Sequence, residues 1–302
     1  MSGPGVGGQV EGFRFRRLEK PEEFRQVQEV HRSVWGEASP ESVPATSLRS
    51  IQDNGGFVLG AFADIHLAGF TVASLGWDGT TLYLYDQVLA VRPEYQNHHL
   101  GFELMKALRS DVVQLGLGEV RLVYDPIQSR NAWLFVHRLG GRPDRYLPHY
   151  YGQLPDTINA GLETDRIRLR WPLTATRTEE RLTGPGPTRE EELGRWKTAR
   201  AIVVTEPGES GLRLPTEVSE PEGETAHLEI PFDLDLVRQH EAGGLRRWRH
   251  ATRDAFRLAA DLGYVVDDFA VVTEQHERRS FYFLGRATTS TAPDVPEGPP
   301  RG

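Results

Sequence analysis

The sequence predicts an α/β (α+β) fold, and two stretches carry that prediction. Residues 82–91 alternate as a strand that Arg92-Pro93 closes. Pro93 has no N–H to give a ladder and biases Arg92 towards extended geometry. A Gly-containing turn, Glu94 to Phe102, then leads into a helical pattern through Leu104, Met105, Leu108, Val112 and Leu115. Gly116 and Gly118 stop it before a second strand at 120–124. The other stretch is a pair of strands, 57–62 and 67–73, joined across a turn at Asp64 to His66. A turn that feeds a helix from a strand's end gathers unpaired N–H groups and the positive end of the helix dipole. That geometry suits a phosphate or pyrophosphate.

The remaining elements follow in order. Residues 1–12 are Gly-rich and read as a disordered tail. Residues 13–18 alternate as a first strand. Pro21-Glu22-Glu23 opens a helix with acids in its first turn and an apolar face of Phe24, Val27, Val30 and Val34. Trp35, at its end, is either a pocket aromatic or ordinary core. A short helix at 47–52 ends at Asn54-Gly55-Gly56. After the strand at 120–124, Ser129-Arg130-Asn131 precedes a helix at 132–138 stopped by Leu139-Gly140-Gly141.

Residues 146–152 are aromatic and polar together, and 165–173 read as the next strand. Residues 176–188, with Gly184-Pro185-Gly186-Pro187, read as a loop. A charged helix at 188–200 precedes a strand at 201–204, and 207–223 read as a mobile excursion. A strand at 227–231, a helix at about 245–262 with Trp248, Ala251, Ala255, Leu258 and Ala259 inward, and strands at 264–266, 269–272 and 280–284 complete the chain. Residues 288–302 read as a second disordered tail.

At 302 residues the chain has room for two domains, and 38% hydrophobic with 26% charged residues describes a soluble globular protein. Cys is absent, which excludes disulfides, thiolate metal sites and a cysteine nucleophile. The net charge of -8 argues against nucleic acid as a partner. The basic clusters at Arg14/Arg16/Arg17 and Arg246/Arg247/Arg249 read as solvated faces. No apolar run reaches membrane-spanning length and no signal pattern opens the chain, so the expected location is cytoplasmic, without a membrane partner. His98-His99 has no acidic or His partner at ligand spacing, so no metal is expected.

The run Val88-x-x-Val91-x-Pro93-x-Tyr95-Gln96-x-x-x-Leu100-Gly101 resembles the acetyl-CoA-binding segment of the GCN5-related N-acetyltransferase (GNAT) superfamily, usually Val-x-Pro-x-x-Arg/Gln-x-x-Gly-x-Gly/Ala and a helix. Gln96 falls on the Arg/Gln position and Gly101 on the last Gly, while His99 replaces the first Gly. Asn131-Ala132 followed by Leu139-Gly140 is similar to the signature that closes the same domain. The resemblance implies a GNAT fold, a central mixed sheet flanked by helices. A GNAT acyl-CoA-binding domain is expected over 13–160. A C-terminal α/β domain, 161–287, repeats the order strand, proline stop, helix, strand. It is either a degenerate second GNAT-like half or an unrelated module. The whole looks like a bacterial subgroup with a C-terminal extension.

What the resemblance implies for residues is as follows. Backbone groups of Gln96, Asn97, His98, His99, Leu100, Gly101 and Phe102 hold the pyrophosphate. A strand bulge near Leu89, Ala90 and Val91 frees backbone groups for the pantetheine and thioester, and Asn131 meets the pantetheine or adenosine side. An N-acyltransferase also moves a proton from the amine and another to the leaving thiolate. Val136 falls where the family's acid tyrosine sits, leaving His137, Tyr150 and Tyr151 as substitutes. Asp86 and Asp125, near the cofactor ends of their strands, are candidates for the base, each with a bland alternative as a surface or turn residue.

The implied catalytic set is therefore Asp86, Asp125 and Tyr150, and the implied donor is acetyl-CoA or another acyl-CoA such as succinyl-CoA. The acceptor is a small amine or amino acid, whose carboxylate Arg166 or another Arg would clamp. Against this acyltransferase stand a CoA-binding module without efficient catalysis and a structural or interaction protein that binds no nucleotide. The oligomeric state stays open, a homodimer included.

Overall fold

The computed structural model describes residues 9–287 except 11, 38, 40, 41, 160 and 275. The chain divides into two compact units, one holding residues up to 126, 130–142 and 147–186, the other 127–129, 143–146 and 187 onward. The expected tails at 1–8 and 288–302 lie outside the described residues.

The first unit is laid on a mixed sheet. In chain order it has β1 (Gln9–Val10), β2 (Phe13–Arg17), α1 (Pro21–Trp35), α2 (Ala45–Asp53), β3 (Phe57–Ala63), β4 (His66–Trp77), β5 (Leu82–Val91), α3 (Leu100–Gln114) and β6 (Glu119–Tyr124). Further on come α4 (Ser129–Ala132), continued as a π-helical turn over Trp133–Arg138, then β7 (Arg142–Leu147), β8 (Arg166–Pro172) and α5 (Thr176–Thr183), with Ser129 and residues 143–146 of these grouping with the second unit. Strands β1 to β5 run antiparallel in sequence order. β6 then joins β5 in parallel, and β8 pairs antiparallel with β6.

Pro21 and the acids Glu22 and Glu23 start α1 as the sequence predicts. Burial acts to raise the Glu23 carboxyl, but Arg16 and the N–H groups of Glu19 and Lys20 win and hold it at about 2. Phe24, Val27 and Val30 of α1 and Leu48 of α2 pack with Val58, Phe62, Phe70, Val72 and Ala90 on one sheet face. Val34, Trp35 and Val88 border the same cluster. Because side chains alternate along β5, Leu89 points to the other face. There α3 packs on β3, β4 and β5 with Leu100, Leu104, Met105, Leu108 and Val112 buried.

The second unit holds α6 (Arg189–Thr198), β9 (Arg200–Ala201), β10 (Val203–Pro207), β11 (Arg213–Val218), β12 (Thr225–Ile230), α7 (Leu234–His240), α8 (Gly244–Asp261), β13 (Tyr264–Glu274) and β14 (Glu277–Arg286). Thr188 caps α6 through the Glu191 N–H, with Glu191 bonding back to the Thr188 N–H. One sheet runs β13-β14-β12-β9, and β10 and β11 form a separate hairpin. Ala270, Val272, Phe281 and Phe283 pack with Leu193 and Trp196 of α6. β14 stands between β12 and β13, whereas β5 and β6 of the first unit are direct neighbours. The shared order of strand, proline, helix and strand thus gives two different sheets.

Five expectations change. The first unit extends to 186, beyond the expected boundary at 160, because β8 completes its hydrogen bonds on β6. Residues 176–183 form α5, not a loop, anchored by Thr178 Oγ1 donating to the Pro172 carbonyl at 2.7 Å and by the Arg109–Glu179 pair. The expected excursion after 207 turns back as β11. Gln9–Val10, assigned to the disordered tail, pair with β2 across Gly12 at φ +87. Arg249, read as part of a solvated face, is fully buried. No helix among the described residues is long and apolar enough to cross a membrane.

Gly69 in β4 lies so close to β5 that a Cβ would stand 2.8 Å from the Ala90 carbonyl oxygen. A strand backbone cannot yield as a side chain does. Gly69→Val is expected to cost about 1–3 kcal/mol of stability, read as a lowered denaturation midpoint; an unchanged midpoint would contradict this packing.

Candidate active site

β5 and β6 are hydrogen-bonded only over Leu84–Asp86 and Val120–Leu122. Beyond that, β5 continues to Val91 on β4, while β6 continues to Tyr124 on β8. The two parallel strands part, and among the described residues no strand covers the outer edge of Gln87–Val91. The register of β4 and β5 shifts where Val72 and Ala73 face Val88 and Asp86, leaving Gln87 as the extra residue. The bulge expected at Leu89–Val91 therefore lies just before them, and Leu89, Ala90 and Val91 stay in register with Gly69–Thr71. One inserted residue reverses which side chains face which side of the sheet. It puts Asp86 and Thr71 together on the α3 face and Val88 on the α1 face.

A single 3-10 turn, Pro93–Tyr95, follows β5. Asn97 and His99 then adopt left-handed φ values of +66° and +59°. His99 is the residue before α3, and its carbonyl accepts the Glu103 N–H at 3.1 Å. The N–H groups of Leu100, Gly101 and Phe102 precede that first helical bond and point out of the helix end. The turn explains the family's preference for Gly at the position of His99, since a left-handed residue without a Cβ is unstrained.

Side chains in the turn do other work. Gln96 Nε2 donates to the Val91 carbonyl at 3.1 Å and Gln96 Oε1 accepts from Arg130 at 2.8 Å, so Gln96 braces the turn. His98 Nδ1 lies 3.0 Å from the Gln96 carbonyl oxygen. Leu100 and Phe102 are buried, with the Arg138 guanidinium 4.5 Å from the Phe102 ring centre. A Cβ on Gly101 would meet Leu134 at 3.5 Å and Leu89 at 3.7 Å, ordinary contact distances. Asn131 is half-buried.

Among the candidates for proton transfer, Asp86 is buried and accepts the Thr71 hydroxyl at 2.7 Å. Its surface alternative is excluded. Burial pushes its carboxyl up to about 7, against the opposing pull of Thr71 and the Val88 N–H. Asp125 is also buried, with Arg166 Nη1 3.8 Å from its carboxylate. Tyr150 is exposed and packs edge-on against Tyr151 at 4.6 Å. Val136 is fully buried in apolar core. His137 is drawn towards α5, 3.4 Å from Arg181 Nη1 and stacked on Trp133.

Sequence reasoning passed over Tyr85, His31, Asp156 and Asn159. Burial, then the neighbouring Tyr151 and Tyr150, hold the Tyr85 phenol firmly protonated. The loop between β7 and β8 brings these tyrosines over β5 and then crosses to α1, where the Thr157 N–H and hydroxyl both donate to the Trp35 carbonyl. Asp156 takes the N–H groups of Ile158 and Asn159 and the Asn159 side-chain amide. Asn159 Oδ1 accepts from Arg166 Nη2 at 3.1 Å. The spacing Asp156 to Asn159 is the signal that was available, an Asp turning its own loop. Arg166 is held by Asn159, the Asp165 carbonyl and Asp125, so its role as a carboxylate clamp competes with three internal acceptors.

Residues 22–140 match the family model of the acetyltransferase (GNAT) family. This part of the chain is a GNAT-family domain. The parted strands, the left-handed turn and the start of α3 all fall inside the matched segment. Solved structures similar to the chain include the ribosomal-protein-S18-alanine N-acetyltransferase of Escherichia coli, at 17% identity over 54% of this chain and 95% of that one, TM-score 0.43. A GNAT-family protein of Desulfovibrio desulfuricans matches at 23% identity over 53% and 99%, TM-score 0.42. An aminoglycoside 6'-N-acetyltransferase complexed with coenzyme A matches at 16% identity over 53% and 97%, TM-score 0.42. With TM-scores below 0.5 these likenesses add nothing to the family match. No curated protein matches the chain.

The raised Asp86 carboxyl gives the GNAT domain a measurable pH dependence. The folded state holds this proton more tightly than the unfolded chain, so the contribution of Asp86 to stability is fully present below about pH 4 and is lost as pH rises through about 7. Asp86→Asn should flatten that fall and raise the urea midpoint at pH 8 relative to the unsubstituted protein. A lower midpoint at pH 8 would contradict the assignment. At the turn, His99→Gly should relieve left-handed strain and leave stability within about 1 kcal/mol of the parent or above it, read in the same titration.

Proposed function

We propose that this chain transfers an acyl group from an acyl-CoA, acetyl-CoA by default and succinyl-CoA as the alternative donor, to the nitrogen of a small amine or amino acid. The observation that carries this reading is the parting of β5 from β6 beside the N-terminus of α3, inside the segment that matches the GNAT family. Bound acyl-CoA would supply an activated thioester.

The residues present fit such a group. The N–H groups of Leu100, Gly101 and Phe102 suit its pyrophosphate, with Asn97, His98 and His99 shaping the turn and Gln96 bracing it. Arg130 and Arg138 add positive charge beside the same turn. The uncovered edge of Leu89, Ala90 and Val91 suits the amides of an extended pantetheine arm, which adds to a sheet edge as a strand does. Asn131, half-buried in α4, would meet the pantetheine or adenosine side. Of the expected proton-transfer groups, Asp86 has a carboxyl raised to about 7 but is buried on the α3 face against Thr71. Asp125 stands at the end of β6 beside Arg166, and the exposed Tyr150 hydroxyl replaces the acid that buried Val136 cannot provide.

The same Val136 favours the second reading, a CoA-binding module with little turnover. Calorimetry with CoA, acetyl-CoA and succinyl-CoA, followed by thiol release against amines and amino acids, separates the two. Because Gly101 has room for a side chain, Gly101→Glu should fold as the parent does and lose binding at least tenfold, its carboxylate repelling the phosphates. Binding without thiol release selects the module; no binding of any of the three compounds overturns both.

A further inference from the structure

α3 and α1 pack on opposite faces of β5, and on the acyltransferase reading the second reactant meets the opening on the α1 side. Three features close that side. Tyr85 comes from β5, Asp125 ends β6, and the loop between β7 and β8 lays Tyr150, Tyr151 and Asp156 across towards α1. On α1, one turn before Trp35, stands His31. It is 7% exposed, stacked on Trp35 at 4.5 Å between ring centres, and its Nδ1 has no hydrogen-bond partner among the described residues. An orphaned buried imidazole nitrogen costs stability, and nothing in the packing of α1 requires a polar residue there: its neighbours on the sheet and α2 include Leu48, Phe70, Val72, Val88 and Ala90.

Resting on the acyltransferase reading, we propose that His31 accepts the proton that the acceptor ammonium must lose before it attacks, with Asp156 as the positioning residue that stabilises the resulting imidazolium. The balance is simple. The ammonium gives one proton to the neutral imidazole, which later releases it to water. The freed lone pair forms the C–N bond, the C–S bond breaks with its electron pair going to sulfur, and a second proton from nitrogen completes the thiol. Burial keeps His31 neutral and ready to accept, while Asp156 draws its affinity for protons back up. Asp156 is the charged group that bears on His31; Tyr85, from β5, stays protonated. Asp156 is itself locked by Asn159, which Arg166 holds in turn. Asp86 lies on the opposite, α3 face and is closed off by Thr71.

The test uses the full chain. Acetyl-CoA binding is measured first, and should be equal in the parent and in His31→Gln. Absence of binding in the parent sinks the acyltransferase reading and this inference with it. With binding in hand, thiol release from acetyl-CoA against a panel of primary amines is followed from pH 5.5 to 9. His31→Gln should lower kcat/KM about 100-fold and erase the acid limb of the profile. Asp156→Asn should move that limb to lower pH, a shift that a merely structural role would not produce. If no amine in the panel reacts, n-propylammonium added to the acetyl-CoA-loaded protein should still shift the His31 ring signals in an NMR titration. Unchanged signals there, or a parental pH profile in both variants, overturns the role of His31 while leaving the acyltransferase reading standing.

Discussion

The structure turns on a competition for hydrogen bonds at one point in the sheet. β6 has two neighbours available and keeps its ladder with β8 along its whole length, while β5 keeps its ladder with β4. The bulge at Gln87 bends β5 where these two loyalties conflict, and the β5–β6 pairing ends there. An edge of backbone in the interior of a sheet is costly unless something else pairs with it. Here it stands beside the open start of α3, and the proposed function has an extended ligand pair with it.

The same bulge sorts side chains by chemistry. By reversing the alternation it places Asp86 against Thr71 under α3, where loss of water makes it a carboxylic acid near neutrality. It turns Val88 towards the apolar α1 cluster. On that α1 side, Tyr85 of β5 and Asp125 after β6 are joined by polar groups of the loop between β7 and β8. Each loop group carries a local partner: Asp156 with Asn159, Asn159 with Arg166, Thr164 with the Gly152 carbonyl at 2.6 Å. A long loop holds one conformation when its buried polar groups are satisfied from within.

The second unit shows how little an order of elements decides by itself. Its strand β12 stops at proline, its helix α8 crosses, and β13 follows, as β5, α3 and β6 do in the first unit. But β13 turns directly into β14, and that hairpin inserts β14 next to β12. No parallel pair forms to part, and the edge that defines the first unit's site has no counterpart between β12 and β13.

By itself the sequence determined the α/β character, the strand and turn from Leu82 to Gly101, and the residues of the family motif. Those are local matters: proline ends a strand, glycines end a helix, and apolar spacing picks the face of α3. The replacement of the usual glycine by His99 was visible too, but the left-handed conformation of Asn97 and His99 was not. Only the tertiary structure decided where the bulge falls, because a register shift depends on both strands. It alone decided that Asp86 is buried, that β8 belongs with the first unit, and that Arg166 is already engaged. It also brought His31 to Asp156, residues more than a hundred positions apart whose types and spacing carried no signal, because their meeting depends on where a loop crosses a helix.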